Sequence, residues 1–211
     1  MKKFLLLSLC ALGLFSCKDE DSTTNTVIKG DTLVQKTLLD IVPDTTQAKF
    51  LYYSIDGDSV VPASKANTDL WDIKLAYLYG GGKTRQIDIF LNSGTVNTTG
   101  KTKGILADTT FDLLTTAPAD EAFKADDTAS ARRIIPVSLD GKGMFVYNPS
   151  ARTITPAPQK TLVLKTRNGN YAKLQIISIY KGRPATPDMM SEIGYYSFRY
   201  ARSNSRKLAT N

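Results

Sequence analysis

Thr161-Leu162-Val163-Leu164-Lys165-Thr166-Arg167-Asn168-Gly169-Asn170-Tyr171-Ala172-Lys173-Leu174-Gln175-Ile176-Ile177-Ser178-Ile179-Tyr180 is the stretch that decides the fold. Two runs rich in β-branched and aromatic residues flank an Asn-Gly pair. That pair supplies the positive φ angles of a tight hairpin turn, so residues 161–166 and 171–180 are expected as paired strands. Downstream, residues 194–201 read as a further strand with Tyr196, Phe198 and Tyr200 on one face. Upstream, residues 49–55 are aromatic-rich and run into Asp56-Gly57-Asp58, a turn signal ahead of Ser59-Val60-Val61. Residues 71–79 and 86–92 read as a second hairpin around Gly80-Gly81-Gly82. No helix-period apolar stripe of useful length follows Val27, and only 126–133 suggests a helical turn. Short strands without alternating helices predict an all-β, antiparallel, sandwich-like single domain over residues 27–211.

The N-terminus reads differently. Met1-Lys2-Lys3 is a short positive region and residues 4–15 are an apolar run of signal-peptide length, too short to span a bilayer as a lasting helix. The run ends Leu14-Phe15-Ser16-Cys17, which resembles a bacterial lipobox. Residues 1–16 are therefore expected to be a lipoprotein signal, Cys17 the lipidated (palmitate-type) residue, and 17–26 a polar tether. Cys10 leaves with the signal, so Cys17 would be the last thiol and no intramolecular disulfide could form. Lys18-Asp19-Glu20-Asp21 is similar to the sorting signal of outward-facing outer-membrane lipoproteins.

Composition removes much chemistry. An apolar fraction of 42% with 22% charged residues supports a folded core rather than general disorder. Histidine is absent, which excludes Ser-His-Asp and Cys-His nucleophile systems as well as histidine-ligated zinc or haem. Lysine and arginine exceed the acids, 27 to 20, but form no clustered stripe, so nucleic acid is not an expected partner. Gly80-Gly81-Gly82-Lys83-Thr84 lacks phosphate-loop spacing and reads as a hairpin loop. The acids between Asp120 and Asp127 lack the periodicity of a calcium loop and read as a solvated loop. No nucleophile and base fall together, so the chain is expected not to be an enzyme.

Several segments, in order along the chain, resemble the HmuY family of surface lipoproteins. They are Asn67-Thr68-Asp69-Leu70-Trp71-Asp72-Ile73, Leu91-Asn92-Ser93-Gly94 with a glycine-containing loop through Gly100 and Gly104, and Phe111-Asp112-Leu113-Leu114-Thr115-Thr116-Ala117-Pro118. Gly169-Asn170-Tyr171-Ala172-Lys173-Leu174-Gln175 follows, with Tyr180 and a closing strand over 195–200. The resemblance implies a haem-binding, haemophore-like protein. It would take haem (iron protoporphyrin IX), from host haemoproteins among other sources, and pass it to an outer-membrane uptake receptor. The family implies two axial ligands from loops of neighbouring hairpins, histidines or methionines. With no histidine, the candidate iron ligands are Met144, Met189 and Met190, with Tyr147 as an oxygen ligand and Arg152 beside the same loop, 148–156, to pair with a propionate. Arg132 and Arg133 are further candidates for the propionates. Two readings stay open at Met144, which also alternates with Val146 as a core residue would. The alternative function is the same fold binding another tetrapyrrole, a glycan or a host protein, with haem binding lost. Asp31-Thr32-Leu33, Asp44-Thr45-Thr46, Asp108-Thr109-Thr110 and Asp127-Thr128-Ala129 resemble the short O-glycosylation acceptor of exported bacterial proteins.

Overall fold

The computed structural model describes residues 30–43, 49–76 and 87–210. The export signal, Cys17, the tether, the Asp44-Thr45-Thr46 acceptor and the glycine loop at 80–82 lie outside the described residues. Within 31–210, strand alternation builds two layers. β2 (Phe50–Ser54) buries Leu51 and Tyr53, β4 (Ile73–Ala76) buries Ile73 and Leu75, and β5 (Ile89–Leu91) buries both its ends. With β3 (Ser59–Val61) they form a four-stranded sheet ordered β3-β2-β4-β5.

The facing sheet has five strands, ordered β1-β11-β10-β9-β6. It comprises β1 (Leu33–Ile41), β6 (Lys103–Ala107), β9 (Thr161–Lys165), β10 (Tyr171–Tyr180) and β11 (Ile193–Ser203). All pairings among the described residues are antiparallel. Leu162, Leu164, Ala172, Leu174 and Ile176 alternate into the interior and meet the four-stranded sheet there. Tyr53 packs edge-on against Phe198 at 5.2 Å between centroids, and the Tyr196 hydroxyl donates to the carbonyl of Ala76 at 2.6 Å, so the two layers are joined by contact and by hydrogen bond. Val163 points the other way and packs with Ala117, Phe123 and Leu208 in a small second core beneath the 111–123 segment and the C-terminal residues.

The decisive hairpin forms, but with a different turn. Only Gly169 has positive φ, +80°, and its N–H donates to the carbonyl of Thr166 at 2.9 Å. Arg167 and Asn168 therefore make an ordinary turn that ends in a left-handed glycine, a three-residue connection rather than the two-residue one expected. Four further expectations shift. The strand expected from Trp71 starts at Ile73, because Asp72 is turned inward to accept hydrogen bonds. Gly104 sits in β6, not in a loop; a Cβ there would come within 2.4 Å of Leu91 Cδ1, so the glycine permits close approach of the layers. Asp126 is buried and accepts from the N–H groups of Leu91 and Ile134, so this part of the acidic segment organises backbone instead of lying in solvent. The expected loop over 148–156 is mostly strand: β7 (Phe145–Asn148) pairs with β8 (Thr153–Pro156).

Candidate functional site

The β7–β8 hairpin stands on the rim of the sandwich. It is held by the Ile154 N–H, which donates to the Tyr180 hydroxyl at 2.9 Å, and by the Ala157 N–H, which donates to the Met144 carbonyl at 2.9 Å. Its turn is set by Asn148, whose side-chain oxygen accepts from the N–H groups of Ser150 and Ala151, and by Arg152 at φ +53°. Tyr147, 42% exposed, donates its N–H to the carbonyl of Leu139. That contact sets an additional short segment beside the hairpin, with Val137 and Leu139 exposed as well.

Opposite stands the connection between β10 and β11. Its base is closed by the Lys181–Glu192 ion pair at 3.0 Å, and Arg183 is anchored to Asp40 of β1 at 2.8 Å. Tyr195 and Lys181 hold the Glu192 carboxyl below its ordinary range. Within the loop, Asp188 accepts from the Ser191 hydroxyl at 3.0 Å and the Met190 N–H at 2.9 Å, which lowers its pKa. This local turn lifts Met189 and Met190 out to 61% and 87% exposure.

The two elements touch. Arg152 Nη1 lies 3.6 Å from the Met189 sulfur, joining positions 37 residues apart. A thioether is a weak acceptor, so the contact orients the sulfur without occupying it strongly. The two elements together offer the Arg152 guanidinium, two accessible thioethers and a part-exposed phenol, and the segment beside the hairpin adds the exposed side chains of Leu139 and Val137. Sequence reasoning missed those last two, although their place between turn residues and the hairpin was a readable signal.

Met144 is elsewhere. It is 2% exposed and belongs to the interior with Phe145, Ile135 and Ile179. Iron could reach its sulfur only by entering the packed core, so the candidate ligands reduce to Met189, Met190 and Tyr147. Arg132 and Arg133 are also committed, Arg132 to Asp127 at 2.7 Å and Arg133 to Asp88 at 2.7 Å. Four surface cavities of 330 to 440 Å³ are lined by other residues, the largest by Pro156, Pro158, Gln175, Ile177 and Arg199 among others. Exposed as they are, the Met189 and Met190 thioethers stand on an open surface. Among the described residues no group of three or more His, Cys, Asp or Glu is placed to hold a bare metal ion.

Comparison with known proteins bears on what this surface serves. The family model described as HmuY protein matches residues 46–200. The chain belongs to the HmuY family. That span takes in β2 through most of β11, and with them the hairpin, the β10–β11 loop and every candidate haem contact. Three solved structures resemble this HmuY-family chain. An apo HmuY analog from Tannerella forsythia shares 16% identity over 82% of this chain and 96% of its own, with a TM-score of 0.45. A protein from Bacteroides vulgatus assigned as HmuY-like and heme-binding shares 14% identity over 81% of this chain and 90% of its own, TM-score 0.43. A protein from Bacteroides fragilis assigned as a lipoprotein shares 16% over 81% and 88%, TM-score 0.43. No curated protein matches the chain in sequence.

Proposed function

We propose that this protein is an exported, lipid-anchored binding protein, not an enzyme, that takes up haem at the cell surface and hands it to an outer-membrane uptake receptor. Membership of the HmuY family supports the ligand class, and the contact between Arg152 and Met189 carries the choice of site. It joins the two elements on which the sequence had placed an iron ligand and a propionate partner. Met189 or Met190 would hold the iron through sulfur, Tyr147 would serve ferric iron as phenolate, and Arg152 would neutralise a propionate. Cys17 would carry the acyl chains that keep the domain at the outer membrane.

A neutral, polarisable sulfur favours the reduced metal, whereas a phenolate favours the oxidised one. Haemin titration with and without dithionite therefore separates the ligands. The expected result is a saturable Soret shift, tighter in the ferrous state, weakened at least tenfold in the Met189→Ala/Met190→Ala double variant. A tighter ferric complex lost in Tyr147→Phe would move the ligand to the phenol. No saturable shift in either state overturns the haem reading. The absence of histidine favours one second reading, the same surface serving another ligand after haem binding was lost. That reading requires the same flat titration.

A further inference from the structure

The four-stranded sheet has an outer face that the haem reading does not use. Alternation puts Phe50 and Tyr52 of β2, Lys74 of β4 and Phe90 of β5 on the side opposite the core, each half-buried. Phe50 and Phe90 lie 6.2 Å apart with planes inclined by 73°, Phe50 and Tyr52 6.3 Å apart at 61°. Lys74 Nζ stands among them, 4.7 Å from the Phe90 ring centre, 4.8 Å from Phe50 and 5.8 Å from Trp71. Arg133 also stacks on Phe90, at 3.9 Å.

The charges on this face are unevenly matched. Arg133 has Asp88, and Asp126 is occupied by backbone N–H groups. The Lys74 ammonium makes neither a hydrogen bond nor a close ion pair among the described residues; Asp126 and Asp88 attract it only from beyond contact distance. Arg133 Nε, on a side chain only 5% exposed, likewise has no hydrogen-bond partner there. Ring faces attract an ammonium by roughly 0.5–2 kcal/mol but supply no lone pairs for its three N–H donors. Burial accordingly pushes the Lys74 pKa down. A carboxylate carried on a body with apolar faces would complete both the charge and the ring contacts.

We propose that this face binds a carboxylate-bearing sugar, with Lys74 as the partner of the carboxylate, Phe50 and Tyr52 as ring contacts, and Phe90, already covered by Arg133 and Lys74, holding the ammonium in place. The inclination of the rings selects the sugar over a flat macrocycle. Planes set 61° and 73° apart make no common platform, so a porphyrin would lie on one ring at most. Linked pyranose rings present successive C–H faces at changing angles and can use several.

Trp71 is the only tryptophan in the chain and borders the site, so its fluorescence reports binding. Titration of the purified chain with sialyllactose and with a galacturonate trimer is expected to give a saturable, salt-sensitive change for at least one of them. Lactose should bind at least tenfold more weakly. Lys74→Gln should lose the response by tenfold or more with an unchanged melting temperature, and Lys74→Arg should keep it. Phe90→Leu provides a second variant if Lys74→Gln fails to fold. Retention of the response in Met189→Ala/Met190→Ala separates this face from the haem site. Flat titrations with both acidic sugars overturn the proposal, as does an equal response to lactose or indifference to Lys74 and Phe90. Lys74-dependent binding of poly-glutamate without binding of either sugar overturns it in favour of an acidic peptide.

Discussion

Met144 and the Met189–Met190 pair are the same side chain in two opposed settings. The first fills space between packed layers, 2% exposed; the others project from a self-closed turn at 61% and 87%. An interior thioether contributes through burial and dispersion, and its sulfur is chemically silent because nothing can approach it. A projecting thioether contributes almost nothing to folding, and large apolar side chains so exposed point to an interaction. Position therefore separates a packing sulfur from accessible ones in this chain, where residue type does not.

The largest expected effect tests the interior half of that contrast. Met144→Ala removes a side chain from among Phe145, Ile135 and Ile179 and leaves a cavity the two sheets cannot easily close. The cost should be about 2–5 kcal/mol in urea unfolding. A cost below about 1 kcal/mol would show that Met144 is loosely held and would reopen it as a ligand.

A smaller effect comes from the polar seam at the edge of the interior. Asp58, at the turn between β2 and β3, accepts from the Tyr53 and Tyr200 hydroxyls at 2.7 Å each and pairs with Lys36 of β1 at 2.8 Å. One carboxylate thus ties both sheets. Burial pushes its pKa up, but the hydrogen bonds from Lys36, Tyr200 and Tyr53 outweigh it and hold the pKa at about 2, against an ordinary 3.8. A folded-state pKa below the unfolded one means that the stabilisation is fully present above about pH 4 and lost as pH falls through 2. Asp58→Asn, which keeps a residue type tolerant of φ +50°, should cost roughly 1–2 kcal/mol at pH 7. The gap between wild type and variant should narrow from pH 4 to pH 2 in acid-unfolding curves. A gap that stays constant would mean the carboxylate charge is not what joins the sheets.

The sequence made these two settings visible to different degrees, for physical reasons. β9, β10 and β11 were legible because their runs are rich in β-branched and aromatic residues and a glycine stands where the β9–β10 turn needs positive φ. β1 was not, because an edge strand packs on one side only and Leu33-Val34-Gln35-Lys36-Thr37 shows no clean alternation. β6 was masked by Gly104, whose missing Cβ serves interlayer packing rather than a loop. At the site, the β10–β11 loop could be read from its prolines, but the β7–β8 hairpin was expected as a loop, and the contact between Arg152 and Met189 depends on how β8 seats against Tyr180 and how Asp40 holds Arg183. Neither anchor has a local signature. Met144 was ambiguous for a related reason: it directly precedes a short strand, where alternation is too brief to say which side faces inward.

The smallest effect on stability falls on the projecting sulfurs, and there the chemistry should change while the fold does not. Met189→Ala and Met190→Ala should each shift stability by no more than about 0.5 kcal/mol, since neither side chain is packed. Mild peroxide offers a sharper form of the same test. Thioether oxidation follows access, so peptide mass spectrometry should find sulfoxide at Met189 and Met190 while Met144 stays reduced in the folded protein. A sulfoxide is polar and is no longer a soft thioether ligand. The oxidised protein should therefore keep its melting temperature and lose its ferrous-haem spectrum, and methionine sulfoxide reductases should restore it. Early oxidation of Met144 would mean the sandwich opens at that edge. An unchanged haem spectrum after full oxidation of the pair would move the iron to Tyr147, leaving Met189 and Met190 as contact surface for whatever the domain meets.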